Sequence, residues 1–322
     1  MTTPWRIQDL IGCCALLTAV LATPTPRAQA LEVLGGPEPQ PLLLADREAD
    51  LTPVAASLGR MVFETSDDGK TTQRVVTATL IGPDLLLTTS HVFYDTRQRP
   101  HLQREGQRAK MRTSCEIQHE TRDFRAVTCA NMRFLPAFAR NAADTGERAV
   151  RDCLHFAAYP GADGLAQEAV CRLARPALVP SPALAIGQTD PAEPALVPFM
   201  ARRALDTGDE RWDAVVGDEC RLVEDRSLLR PGSFAGPSGN ALRHYCAIWS
   251  GGSGAPVLQL DSTGQFRIVG VHLGERYAAK DIIRRIGERQ FIAPHQFKGR
   301  NANVAVSGDR IGELIDALSA LR

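Results

Sequence analysis

Hydrophobic and polar positions along this chain fall into short runs broken by turn residues, not into long periodic stretches. From about residue 53 the apolar blocks are strand-sized and bounded by Gly, Pro, Asp and Ser, a pattern that predicts an all-β barrel or sandwich. One segment, Thr77-Ala-Thr-Leu-Ile-Gly-Pro-Asp-Leu-Leu-Leu-Thr-Thr-Ser-His91, holds two such runs joined by a Gly-Pro-Asp turn. Further strands are expected at Ala214–Val216, Tyr245–Trp249, Ala255–Leu260 and Phe266–Leu273, with Asp261-Ser-Thr-Gly264 turning the last two into a hairpin. Between residues 176 and 198 prolines recur, so this stretch is read as a connector between two β bodies. The period changes only near the end. Ile311, Leu314, Ile315 and Leu318 fall at i, i+3, i+4 and i+7, which predicts an amphipathic helix capped by Ser307 or Asp309.

The N-terminus breaks the pattern differently. Arg6 precedes an apolar run from Ile11 to Ala22, and Ala28-Gln-Ala30 offers a small-x-small cleavage site. The run is too short to span a bilayer and reads as a secretory signal over residues 1–30. Export, to the periplasm or the exterior, is therefore expected. Residues 31–52 are rich in Pro, Gly and charge and read as a flexible arm or propeptide. The remaining divisions are a first β body over 53–178, the connector over 179–198, and a second β body with the closing helix over 199–322.

Charge removes several function classes. Lys plus Arg and Asp plus Glu both number 37, so the formal net charge is zero and no basic footprint for nucleic acid or anionic membrane exists. Of eight cysteines, Cys13 and Cys14 lie in the signal. The even remainder, in an exported chain, is expected to form disulfides between neighbours, with Cys220–Cys246 bracketing the approach to residue 253. No Cys-x-x-Cys and no His pair with ligand spacing occurs, so neither a metal nor another cofactor is expected.

The candidate chemistry sits in Ser250-Gly-Gly-Ser-Gly-Ala-Pro256, which isolates Ser253 between glycines. A serine hydroxyl needs a base and an oxyanion site to act as a nucleophile. An α/β-hydrolase elbow would need Gly-x-Ser-x-Gly leading into a helix, with the histidine after the serine; here Ala255 and Pro256 lead into a strand. His91 upstream gives the opposite order.

In these residues the chain resembles the trypsin-like (chymotrypsin-fold) serine proteases, particularly the bacterial glutamyl-endopeptidase-like branch. The matching segments are Thr77–Ile81, Leu87–His91 and Gly251–Pro256, with Ile268–Gly274 similar to the strand lining the substrate pocket. The resemblance implies two six-stranded antiparallel β-barrels with a C-terminal helix. It implies His91 as general base, Ser253 as nucleophile, the N–H groups of Gly251 and Ser253 as oxyanion donors, and a polypeptide substrate. A monomer is expected.

Three departures matter. Val76 and Val92 replace a disulfide-forming pair, apolar for apolar. Gly252 replaces the aspartate that pairs with a new N-terminus in digestive members, so that activation switch cannot operate. The triad aspartate aligns with Gln167 in Gln167-Glu-Ala-Val-Cys-Arg-Leu173. An amide cannot offset an imidazolium, and the comparable Asp-to-Asn change lowers turnover about 10⁴-fold. Glu168, Asp163, Asp152 and Asp123 are the alternative acids, Glu168 only if a bulge brings it to the correct face. If none serves, the chain is a binding protein on a protease scaffold. His272 is expected on a substrate pocket edge, with Ile248 and Ala247 making the rest of that pocket small or apolar.

Overall fold

The structure is a computed structural model describing residues 39–42, 50–67, 70–94, 111–138, 147–157, 168–176, 184–204, 210–217, 220–224, 241–244, 246–248, 251–276, 283–286, 289–292 and 302–321. A short strand, β1 (Gln40–Pro41), precedes helix α1 (Thr52–Ser57). Then follow β2 (Leu58–Asp67), β3 (Lys70–Leu80), β4 (Leu85–Thr89), β5 (Cys115–Glu120), β6 (Phe124–Cys129), β7 (Arg133–Pro136), β8 (Arg148–Phe156) and β9 (Glu168–Leu173). After the connector come β10 (Ala185–Ile186), β11 (Pro198–Ala204), β12 (Glu210–Val216), β13 (Leu222–Glu224) and β14 (Ala241–His244). The chain closes with β15 (Pro256–Leu260), β16 (Phe266–Arg276), β17 (Ile283–Ile286), β18 (Arg289–Ile292), β19 (Ala302–Ser307) and helix α2 (Ile311–Ala320). Among the described residues no helix is long and apolar enough to cross a membrane.

The first β body is a closed barrel. Strands β7, β2, β3, β4, β9 and β8 pair in that order, and β8 pairs with β9 and β7 to complete the ring, all antiparallel. The β5–β6 hairpin extends from β8. The barrel interior holds Met61, Phe63, Val76, Ala78, Leu80, Leu86, Ala169 and Cys171. Neighbours one residue away, Leu87 and Val170, instead join a cluster with Met200, Leu258, Leu273 and Leu314. The Leu85-Leu-Leu87 run is thus apolar throughout because β4 is covered on both faces. Burying each such side chain is worth about 1.5–3 kcal/mol.

The second β body is built around β16, which pairs with β15 and β19 antiparallel, while β19 continues to β14 and β13. A β11–β12 hairpin meets it through the isolated bridge Leu196–Leu258, and Ala195 bridges Cys220. Among the described residues this half is less regular than a six-stranded ring, although its interior, with Phe199, Val215, Leu242, Val257 and Val269, is one cluster. The disulfides are Cys115–Cys129, Cys153–Cys171 and Cys220–Cys246, the neighbour pairing expected.

Four local expectations change. The connector is partly ordered: Ala185 and Ile186 pair in parallel with β16, and buried Gln259 donates to the carbonyls of Asp190 and Glu193 while accepting from the Asp190 N–H. Of the expected strand Tyr245–Trp249, residues 245 and 249 lie outside the described residues; the strand described nearby is β14, where Leu242 and His244 are the inward pair and a buried histidine reads as polar in a sequence. Of the 31–52 segment, read as flexible, Gln40 and Pro41 pair with Val216 and Val215 and Leu42 is buried. Helix α2 buries Ile311, Leu314 and Leu318 as expected, but a 3-10 turn, Gly308–Arg310, puts Arg310 at the cap position, where its guanidinium binds Glu313 at 2.7 Å.

Helix α2 leaves the second body and lies on the first. Arg172 of β9 donates to the Leu318 carbonyl, and the Arg310 guanidinium stacks 3.9 Å over Phe156 of β8.

Candidate active site

The loop carrying Ser253 is shaped by two glycines in the left-handed region, Gly251 at φ +107° and Gly254 at φ +83°. A Cβ at 254 would collide with the Thr77 carbonyl and Thr88 hydroxyl, and one at 251 with the Met200 carbonyl and Trp212. These glycines therefore serve both dihedral and contact, and let the loop lie against β3 and β11.

Thr77, wholly buried on β3, holds the loop there. Its N–H donates to the Ser253 carbonyl at 3.0 Å, and its hydroxyl donates to the Gly251 carbonyl at 2.7 Å. The same hydroxyl accepts the Met200 N–H at 3.0 Å, and the Thr77 carbonyl accepts the Thr88 hydroxyl at 2.8 Å. From the other side, Gly254 N–H donates to the His272 carbonyl at 2.9 Å, and Ser253 Oγ donates to the Leu273 carbonyl at 3.3 Å. The N–H groups of Gly251 and Ser253 have no protein acceptor among the described residues, which leaves both donors available for an oxyanion.

His91 enters from the neighbouring strand. β4 pairs with β3 and ends at Thr89, and His91 lies half-buried in the 3-10 turn Ser90–Phe93 that follows. Fully buried Phe93 packs against Phe63, and Arg112 Nε donates to the Val92 carbonyl, so the turn is anchored just after His91. His91 Nδ1 lies 2.9 Å from Thr89 Oγ1. In the tautomer a general base needs, Nδ1–H donates to that hydroxyl and Nε2 keeps its lone pair.

Of the candidate acids, Gln167 and Asp163 lie outside the described residues. Asp123 is exposed at the β5–β6 turn, and Asp152 sits on β8 opposite Arg172, 3.6 Å from Arg151. Glu168 is the exception. It is wholly buried and directly opposite Thr89 in the β4–β9 ladder. Residues directly opposite share a face with Cβ atoms about 4.5–5.5 Å apart. Glu168 therefore stands on the face from which Thr89 reaches His91, and no bulge in the β4–β9 ladder is needed.

His272 departs from expectation. Only 1% exposed, it turns inward, its Nδ1 2.9 Å from Nε2 of buried His244. Burial lowers the His272 pKa to about 3, and burial followed by the neighbouring ring holds His244 well below the ordinary range. Ile248 and Ala247 are likewise buried. Thr77, Thr88 and Thr89 are the site residues whose roles sequence reading missed; their signal was threonines within otherwise apolar strands.

A closed barrel bearing His91, a second β body bearing Ser253, and a helix strapped back across the first make this a chymotrypsin-like protease fold. No family model and no curated protein matches the chain. Among solved structures it is similar to a Glu endopeptidase at 15% identity and TM-score 0.49, over 89% of this chain and 99% of that one. It is similar to the scabies mite inactivated protease paralogue S-I1 at 13% identity and TM-score 0.48, over 85% and 98%. A tobacco vein mottling virus protease matches at 12% identity and TM-score 0.40, over 82% of each chain.

Proposed function

We propose that the chain is an exported serine endopeptidase that cleaves polypeptides through an acyl-enzyme on Ser253. The observation carrying this reading is the docking of the Ser253 loop, by Thr77, onto the strand pair that ends in His91, with two N–H donors left available. His91 Nε2 takes the Ser253 proton as Oγ attacks the scissile carbonyl, and returns it to the leaving amine. The N–H groups of Gly251 and Ser253 bind the oxyanion of the tetrahedral intermediate. Thr89 Oγ1 accepts the Nδ1–H of the base-competent tautomer and orients the His91 ring, and the buried Glu168 carboxylate opposes the imidazolium charge from the same face.

In this reading residues 1–30 are a removable signal, and β bodies over 53–178 and 199–322 flank the 179–198 connector in a monomer. The three disulfides suit an oxidising compartment. The pairing of β1 and the burial of Leu42 in the folded body support a maturation cleavage before Gln40 over one at the end of the arm.

Labelling of purified protein with a fluorophosphonate, with Ser253→Ala as control, tests the proposal. Labelling of the wild type and not the variant is expected; none in either overturns it. The Thr89 hydroxyl bonded to His91 Nδ1 favours one second reading, a protease-like binding protein, which predicts that negative result together with a stably folded chain.

A further inference from the structure

The catalytic reading leaves one buried cluster unused, beside His272. Cys220 Sγ, Cys246 Sγ and a ring nitrogen of His244 all lie within 4.8 Å of one another. His244 is fully buried; its Nε2 faces His272 Nδ1 and its own Nδ1 has no hydrogen-bond partner. A buried nitrogen with no partner is a costly arrangement unless something else occupies it. With Nε2–H donating to His272, the Nδ1 lone pair of His244 points away from its partner, as an outer hydrogen bond orients a ligating histidine.

The disulfide here also differs in access. Cys115, Cys129, Cys153, Cys171 and Cys246 are buried, whereas Cys220 is partly exposed. Of the three bridges this one therefore offers an external thiolate an approach, on the Cys220 side.

We propose that reduction of Cys220–Cys246 opens a two-thiolate, one-imidazole site for a soft divalent cation of the Zn²⁺ class, held by Cys220, Cys246 and His244 Nδ1. A dithiol reductant attacks Cys220 Sγ and Cys246 Sγ leaves as thiolate. The reductant's second thiol then displaces Cys220 Sγ and departs as a cyclic disulfide, so two electrons and two protons pass to the protein. The cation takes both sulfurs as thiolates, releasing those two protons, and water completes a tetrahedron. Disulfide and metal are alternatives for the same sulfurs, so the redox state of the surroundings selects between them. The inference stands whether or not Ser253 is catalytic. The site is nevertheless one hydrogen bond from His272, whose backbone holds Gly254 and Ala255.

Co²⁺ titration of the full chain reduced by a phosphine tests it. The expected result is one equivalent bound, with a thiolate-to-cobalt charge-transfer band and tetrahedral visible bands, displaced by Zn²⁺. Affinity should fall roughly tenfold or more in His244→Gln, and the band should vanish in the Cys220→Ser/Cys246→Ser pair. No charge-transfer band in the reduced wild type, or unchanged affinity in His244→Gln, overturns the proposal. Should the serine variant fail to fold, alkylation of the reduced wild type decides. Zn²⁺ must protect Cys220 and Cys246, and equal alkylation with and without Zn²⁺ overturns the site.

Discussion

Replacing Thr77 by Val keeps the shape of the side chain and removes only its hydroxyl. That hydroxyl donates to the Gly251 carbonyl and accepts from the Met200 N–H, in the interior where Thr77 is 0% exposed. Two buried backbone groups are orphaned at once, each at about 1–3 kcal/mol, so the native state should lose about 2–6 kcal/mol. Relaxation of the loop moves the result toward the lower figure. Catalysis should suffer separately, because the Gly251 carbonyl orients the loop that carries the oxyanion donors. Complete loss of one donor costs about 10²–10³ in kcat, and a misaimed loop should cost about 10–100-fold on the same scale. Thr77→Ser restores the hydroxyl and should recover most of the rate. The assay is phosphonate acylation rate beside urea unfolding monitored by fluorescence. If Thr77→Val reacts within twofold of wild type, or if Ser and Val variants are equally slow, the clamp is not what positions the site.

Three other outcomes follow from the same geometry. Glu168→Gln should lower kcat about 10²–10⁴-fold with little change in KM, since the charge is invoked only as imidazolium develops; an unchanged kcat removes Glu168 from the mechanism. Buried His155, with a pKa of about 4, and His272, at about 3, stay neutral in the folded protein while the unfolded chain protonates below about 6.5. Their contribution to stability is therefore complete above pH 6.5 and is lost as pH falls toward 4, and a urea midpoint that stays flat from pH 7.5 to 5 contradicts this. Truncation to residue 51 strips β1 from β12 and Leu42 from the core, so stability should drop by at least about 1.5–3 kcal/mol relative to a chain starting near residue 39. Equal unfolding midpoints would show that the arm is dispensable.

Much of the fold was legible because apolar runs and turn residues report strands directly: the Asp261–Gly264 hairpin and the Ile311–Leu318 stripe both lie where their patterns place them. β14 was hidden because His244 counts as polar until a buried partner is known. Register was not legible either. Gln167 and Glu168 are adjacent in sequence, and only the ladder opposite Thr89 reveals which face Glu168 takes. The glycine loop announced the nucleophile position, yet the partners of the threonines that hold it were not legible, since they lie as far as 174 positions away.

Helix α2 spans from β19 onto β8 and β9, fastened there by Arg172 and Arg310. Its effect is to make the seam between the two β bodies a separate melting unit. Each body has its own disulfides and its own interior, whereas the seam depends on one apolar layer, the Thr77 bonds and this strap. Mild denaturant should then part the bodies before it unravels either, and inactivation should run ahead of the loss of β-structure. Catalytic competence would thus report the closure of a joint, at conditions where spectroscopy still records a folded protein.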